Sequence, residues 1–217
     1  YGLAGLVVLL GVAAVTVYVA SNSRLSRNFA VTPRPVAISS DAATLARGRH
    51  LAETRGCNDC HGKDYAGSKV IDDGAMGRLH APNLTTGKGG RIGSFKDEDW
   101  VRAIRHGVGP DRRGLFIMPS EEYSFFSDED LGAVIAFLKT VPPVDRERPE
   151  TSLGPVSRVL LALGKMKLAA AVIDHPNLKP KSFVAAPTAE YGGYVATSCL
   201  GCHGPNFSGG KIKIGPP

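Results

Sequence analysis

The chain has 217 residues, a formal net charge of +6, 43% hydrophobic and 7% aromatic side chains, and four cysteines. That length allows one or two small domains and excludes a large enzyme. The apolar and charged fractions exclude a disordered chain, and four cysteines are too few for a disulfide-dense scaffold.

Gly2 to Ala20 carries no charge over 19 residues. As a helix it would span about 28 Å, close to the hydrocarbon thickness of a bilayer. Tyr1 and Tyr18 lie near its two ends, where aromatic rings favour the interface, and Arg24 and Arg27 follow. The segment is predicted to be a transmembrane anchor, residues 1–22, with a cleaved signal peptide as the rival reading. The chain does not start with Met, so further residues are expected before Tyr1.

Residues 23–40, with Pro33 and Pro35, read as a linker. A helical pattern starts at Asp41, carries Leu45, Gly48, Leu51 and Ala52, and ends near Gly56. Gly48 is a candidate for close helix crossing. Residues 62–93 show no sustained period and read as loop. Ser94–Asp97 reads as a capping box opening a helix with Trp100, Val101 and Ile104 on one face. Ser127–Asp130 repeats that pattern before Leu131, Val134, Ile135 and Leu138, and Pro142–Pro143 closes the helix. Strand signals are nearly absent, so the fold is predicted all-α.

All four cysteines fall in two motifs, Cys57–His61 and Cys199–His203, each of the form C-x-x-C-H. This is the attachment signature of c-type haem. Two thiols three positions apart on one helical turn reach two carbons on one porphyrin edge, and the next residue puts an imidazole under the iron. A zinc site gives no reason for His after each second Cys. A redox dithiol expects a βαβ pattern that is missing. Two covalently attached haem c groups are therefore expected.

The motifs sit in a repeat. At an offset of 142, His61–Gly62 matches His203–Gly204, Tyr65 matches Phe207, Gly67 matches Gly209 and Lys69 matches Lys211. Upstream, Gly48–Ala52 resembles Gly192–Ala196. This pattern reads as a duplicated module.

Cys57–His61, Ala81-Pro82-Asn83-Leu84-Thr85, Ile117-Met118-Pro119 and the helix Leu131–Val141 together resemble a class I c-type cytochrome domain. The resemblance covers about 40–143 fully and 187–217 partly. It implies an N-terminal transmembrane helix and two tandem cytochrome c-like helical domains, residues 41–143 and 187–217, the second incomplete. Residues 144–186 join them, with an amphipathic helix at 155–173 expected to pack on the membrane, on a partner or between the modules.

The resemblance makes His61 the proximal ligand and Met118 the distal one, with Met76 and His80 as alternatives. It suggests that the Pro82 carbonyl accepts the His61 ring N–H. His50 reads as a surface or packing residue, and His106 as a helix-capping cation. Arg112 and Arg113 are candidates to meet haem propionates or to form a solvated turn. His203 is the ligand of module two. Only 14 residues follow it, so its distal ligand is expected beyond Pro217, with Met166 and His175 as lesser candidates.

Residues 41–150 hold 16 basic and 18 acidic side chains, whereas 151–217 hold 7 and 2. The basic residues are not clustered with aromatics, so no nucleic-acid binding is predicted. The expected function is single-electron transfer in a respiratory or photosynthetic complex, with redox proteins as partners. The alternative is the cytochrome subunit of a membrane-bound dehydrogenase, and a third class is a dihaem peroxidase or gas-binding haem protein. No catalytic residue is expected. Haem attachment is completed outside the cytoplasm. Both modules are therefore expected on the periplasmic face of the bacterial inner membrane, held by a single-pass anchor.

Overall fold

A computed structural model describes residues 2–204 and 206–209. Tyr1, Lys211 and Gly215–Pro217, used in the sequence reading, lie outside the described residues. Helix α1, Gly2–Leu25, projects from the rest of the molecule. It is the one helix among the described residues long and apolar enough to cross a membrane.

α2 spans Ala42–Thr54, and α3 spans Cys57–His61. Asp41 caps α2 by accepting the Thr44 N–H at 2.9 Å, the expected chemistry for that position. α4 (Asp97–His106), α5 (Ser120–Tyr123) and α6 (Asp128–Lys139) complete the helices of the first module. Ser127 caps α6 as its sequence predicts, with Oγ accepting the Asp130 N–H at 3.0 Å.

The cap of α4 lies two residues later than expected. Lys96, not Ser94, holds the cap position, and the Asp99 carboxylate accepts its N–H at 2.9 Å. The reciprocal acidic partner thus outweighed the serine in setting the helix start.

α2 and α6 cross at contact distance. A Cβ on Gly48 would sit 1.9 Å from the Ala133 carbonyl oxygen and 2.9 Å from the Phe137 Cβ. Only glycine admits that approach. The crossing seals a core of Leu51, Trp100, Val101, Ile104, Phe126, Leu131, Val134 and Ile135.

The all-α expectation needs one correction. β1 (Lys69–Asp73) and β2 (Gly77–His80) form an antiparallel hairpin within residues read as loop. β3 (Ser152–Leu153) adds to β2 from a distant stretch. β1 has no buried residue, so it has no apolar alternation to reveal it. The Asp73 carboxylate makes the turn, accepting the N–H groups of Ala75 at 2.9 Å and Met76 at 2.7 Å.

After β3, α7 (Pro155–Ala162) packs on the C-terminal end of α1. Arg158 donates to Ser21 Oγ and Asn22 Oδ1, both at 3.0 Å, and its guanidinium lies 4.4 Å from the Tyr18 ring centroid. The helical run predicted for 155–173 therefore stops at Ala162, and a short 3₁₀ turn follows at Ala169–Ala171. α8 (Ala189–Ala196) and α9 (Leu200–His203) carry the second motif, joined by a 3₁₀ turn.

His106 is not a capping cation. It is buried, and its Nδ1 lies 3.0 Å from His175 Nδ1, whose ring also reaches the Ala170 carbonyl through Nε2 at 3.0 Å. Burial, followed by the neighbouring His175 and the Arg105 and Arg102 charges, pulls His106 down to about 4.

Two outcomes follow from this packing. Gly48→Ala must push α2 from α6 and should cost about 2 kcal/mol or more, read as a lower denaturant midpoint. Between about pH 6.5 and 4 the unfolded chain binds a proton at residue 106 that the native chain refuses. Stability should therefore fall as pH drops through that window, by at most about 1.4 kcal/mol per unit. A pH series of urea midpoints checks this, and His106→Phe should flatten it.

Candidate haem-binding site

α3 is one helical turn set between two left-handed glycines, Gly56 at φ 74° and Gly62 at φ 80°. Its cysteines stand three positions apart and share a face. Cys57 packs against the main core. Burial pushes its thiol up to about 12 and also raises Cys60. Neither is a thiolate near neutral pH, so the pair lacks the lowered pKa of a redox dithiol. All four cysteines are free. Among the described residues no group of three or more His, Cys, Asp or Glu side chains is placed to hold a metal ion.

His61 Nδ1 lies 3.0 Å from the Pro82 carbonyl oxygen. A carbonyl only accepts, so Nδ1 carries the proton and Nε2 keeps its lone pair. Burial lowers the His61 pKa, opposed by the Pro82 hydrogen bond. The ring is thus a neutral imidazole of fixed tautomer, the form a metal ligand requires.

Gly67 makes this contact possible. Its N–H donates to the His61 carbonyl at 2.8 Å. At φ 83°, an added Cβ would lie 2.5 Å from the Ala81 oxygen and 3.0 Å from the Pro82 carbonyl carbon. Any larger residue would push the Pro82 loop off the imidazole.

Asn83 anchors the far side of that loop. It is buried, accepts the Thr85 N–H at 2.9 Å and donates to the Val144 carbonyl at 2.9 Å. Arg148 donates to the Gly67 carbonyl at 2.5 Å. The sequence reading missed Arg148, because nothing local links residue 148 to residue 67.

Met118 is half-buried and packs against the same core cluster as Cys57, Leu84, Phe95 and Tyr123. The residue before it, Ile117, has φ 70°. A β-branched residue in the left-handed region is strained, and such strain concentrates at functional positions. Ser120 pins the segment, its Oγ donating to the Ala103 carbonyl at 3.1 Å.

The alternative ligands, Met76 and His80, lie on the β1–β2 hairpin. Met76 sits in the β1–β2 turn, with its sulfur 3.8 Å from Ser157 Oγ of α7. His80 ends β2, its backbone N–H 3.4 Å from Thr151 Oγ1. His50 is exposed. Arg112 donates to the Val31 carbonyl at 2.8 Å, and the exposed Arg113 faces Asp111. That pair belongs to a turn.

The second motif repeats the backbone of the first. Tyr65 and Phe207 both have φ 55°. Their N–H groups donate to Gly62 at 2.9 Å and Gly204 at 3.1 Å. Gly67 and Gly209 have φ 83° and 79°, and donate to His61 at 2.8 Å and His203 at 2.9 Å. A left-handed aromatic costs conformational energy, so its recurrence at matched positions marks one local design used twice. Cys199 and Cys202 are exposed, whereas Cys57 and Cys60 are half-buried.

The donor set of module one fits a covalently held haem. It offers two free thiols on one helical face and a neutral imidazole with a free Nε2. It also offers a thioether packed on the same core cluster.

Residues 45–142 match the cytochrome c family. The chain is 32% identical over 149 residues to the fructose dehydrogenase cytochrome subunit of Gluconobacter japonicus, covering 65% of this chain and 30% of that protein. It is 27% identical over 184 residues to the cytochrome c subunit of the quinone alcohol dehydrogenase of Gluconobacter oxydans, covering 80% and 37%. It is 28% identical over 173 residues to a dihaem cytochrome c-type protein of Cereibacter sphaeroides, covering 74% and 57%. The chain spans about a third of the length of the two dehydrogenase subunits. Residues 45–142, which hold Cys57–His61 and Met118, are therefore similar to the cytochrome c family.

Proposed function

We propose that the chain is the cytochrome subunit of a membrane-bound dehydrogenase. It carries two covalently attached haem c groups and passes single electrons on the periplasmic side of the inner membrane. The observation that carries the electron-transfer reading is the His61–Pro82 hydrogen bond at 3.0 Å beside two free, half-buried thiols. The dehydrogenase reading rests on the names of the relatives, which favour it over the respiratory or photosynthetic complex expected first.

Haem, when bound, supplies an iron that gains or loses one electron. Cys57 and Cys60 tether it, and Cys199 and Cys202 do the same in module two. His61 and His203 would ligate the iron. The Pro82 carbonyl holds the His61 ring in place and makes it more basic. Met118 gives a thioether, which raises the potential relative to a second imidazole. Ile117, bent into the left-handed region before Pro119, aims that side chain. Nothing in this set abstracts a proton from a substrate, so oxidation of the substrate belongs to a partner subunit.

The repeated backbone at Gly204, Phe207 and Gly209 supports a second haem. The apolar α1, uncharged from Gly2 to Ser23, supports a membrane anchor, with its length matched to a bilayer.

Isolation of the full-length protein from native membranes tests the assignment. A dehydrogenase should come with it, and that enzyme's substrate should reduce the haem. Recovery with respiratory or photosynthetic subunits, and no substrate-driven reduction, would overturn it. Met118→Ala should abolish the sulfur-to-iron charge-transfer band of one haem and lower its potential. An unchanged band removes Met118 from the ligand set.

A further inference from the structure

The second attachment motif does not hang free of module one. α8 lies against it through a polar cluster centred on Asp130, which is 1% exposed. One carboxylate oxygen takes the Arg47 Nε–H from α2, and the other takes the Tyr194 hydroxyl from α8 at 2.6 Å. The Tyr194 oxygen also accepts the Ser127 N–H at 3.2 Å. Phe183 stacks on the Tyr194 ring at 4.2 Å between centroids. At the next residue of α8, Arg55 donates to the Val195 carbonyl at 3.2 Å.

These contacts span three elements. Asp130 sits in the first turn of α6, Arg47 lies one residue before the Gly48 crossing, and Arg55 directly precedes the Gly56–Cys57 turn. Tyr194 stands five residues before Cys199. The cluster therefore joins the frame of the first attachment turn to the frame of the second. A cavity of about 260 Å³ lies between them, lined by Arg55, Gly56, Asp59, Tyr123, Phe126 and Ser198.

The cluster has the chemistry of a clasp. A buried carboxylate needs compensating donors, because an unpaired buried charge is costly. Arg47 supplies the charge from within module one. Tyr194 supplies the remaining strong donor from the second module. Removing either leaves the carboxylate undersatisfied, so the arrangement favours one docked geometry over a swinging tether.

We infer that Asp130 and Tyr194 are positioning residues that hold the two haem-attachment turns at one fixed separation. The inference rests on the reading that the second motif carries a haem. Electron exchange between two centres falls steeply with distance. One electron leaves the reduced group of one module and reduces the oxidised group of the other, with no proton or ligand exchanged. A single spacing keeps that exchange at a single rate.

The test uses the full-length holoprotein and two readouts. Pulsed electron paramagnetic resonance gives the distance distribution between the two ferric haems. Amide hydrogen exchange gives the protection of residues 189–199. In Tyr194→Phe, which keeps the ring on Phe183, the distance distribution should broaden. Protection of 189–199 should fall about tenfold, the value of one hydrogen bond to a charged group. The haem spectra and the protection of α4 should stay unchanged, which a general loss of stability would not allow.

Arg55→Ala is the second variant and should shift the same two readouts less. A wild-type haem count of one would sink the dihaem reading, and hydrogen exchange alone would then decide the clasp. Unchanged protection of 189–199 in both variants overturns the clasp, as does an unchanged narrow distance distribution in a dihaem protein.

Discussion

The approach of α2 to α6 at Gly48 and Ala133 governs the site. Both sides of the candidate haem site are referenced to that crossing. Two residues separate α2 from the Cys57 turn, so the angle of α2 sets where the thiols and His61 lie. α6 supplies Leu131, Val134, Ile135 and Leu138 to the core cluster against which Cys57 and Met118 pack. A helix pair a few ångströms wider would leave the imidazole and the thioether without a common frame. This is also the reason the core can be modest: a close backbone contact sets geometry more sharply than apolar bulk does.

Burial acts in one direction at every titratable group of the site. It raises the thiols of Cys57 and Cys60 and lowers His61. All are held neutral before any metal is present. That suits assembly, because a neutral imidazole keeps its lone pair and a protonated thiol resists disulfide exchange. The charges the fold does bury are paired instead. Arg105 reaches Asp128 at 2.6 Å and the Phe126 carbonyl at 2.9 Å, and Arg102 reaches Asp99 at 2.5 Å. These pairs surround the helical frame rather than the ligands.

Much of the site was legible because its chemistry is local. The cysteine spacing, the histidine after it and the offset of 142 are properties of short segments, and the matched left-handed positions at Tyr65 and Phe207 give them a backbone form. The helices at 42–54, 97–106 and 128–139 were legible because each carries an apolar face and an acidic first turn or cap. The β1–β2 hairpin was not, since an exposed strand has no periodicity to betray it. Arg148, Asn83 and the His106–His175 pair were not legible either. Their partners lie 81, 61 and 69 positions away, and no single-sequence pattern encodes that.

The stretch 144–186 reads in sequence as a connection, and its contacts make it a brace. Val144 accepts from Asn83, Arg146 pairs with Asp64 at 2.7 Å, and Arg148 holds Gly67. β3 then extends the hairpin sheet, Arg158 grips Ser21 and Asn22 of α1, and His175 closes on His106. One segment therefore touches the proximal loop, the sheet, the base of the apolar helix and the end of α4. At that base Arg158 sits over Tyr18, and Arg24 of α1 donates back to the Ala162 carbonyl of the segment at 3.3 Å. Electron transfer needs centres that stay where they are, because any change of spacing changes the rate. A chain that carries a long apolar helix and two C-x-x-C-H turns meets that need by spending its connecting residues on contacts rather than on reach.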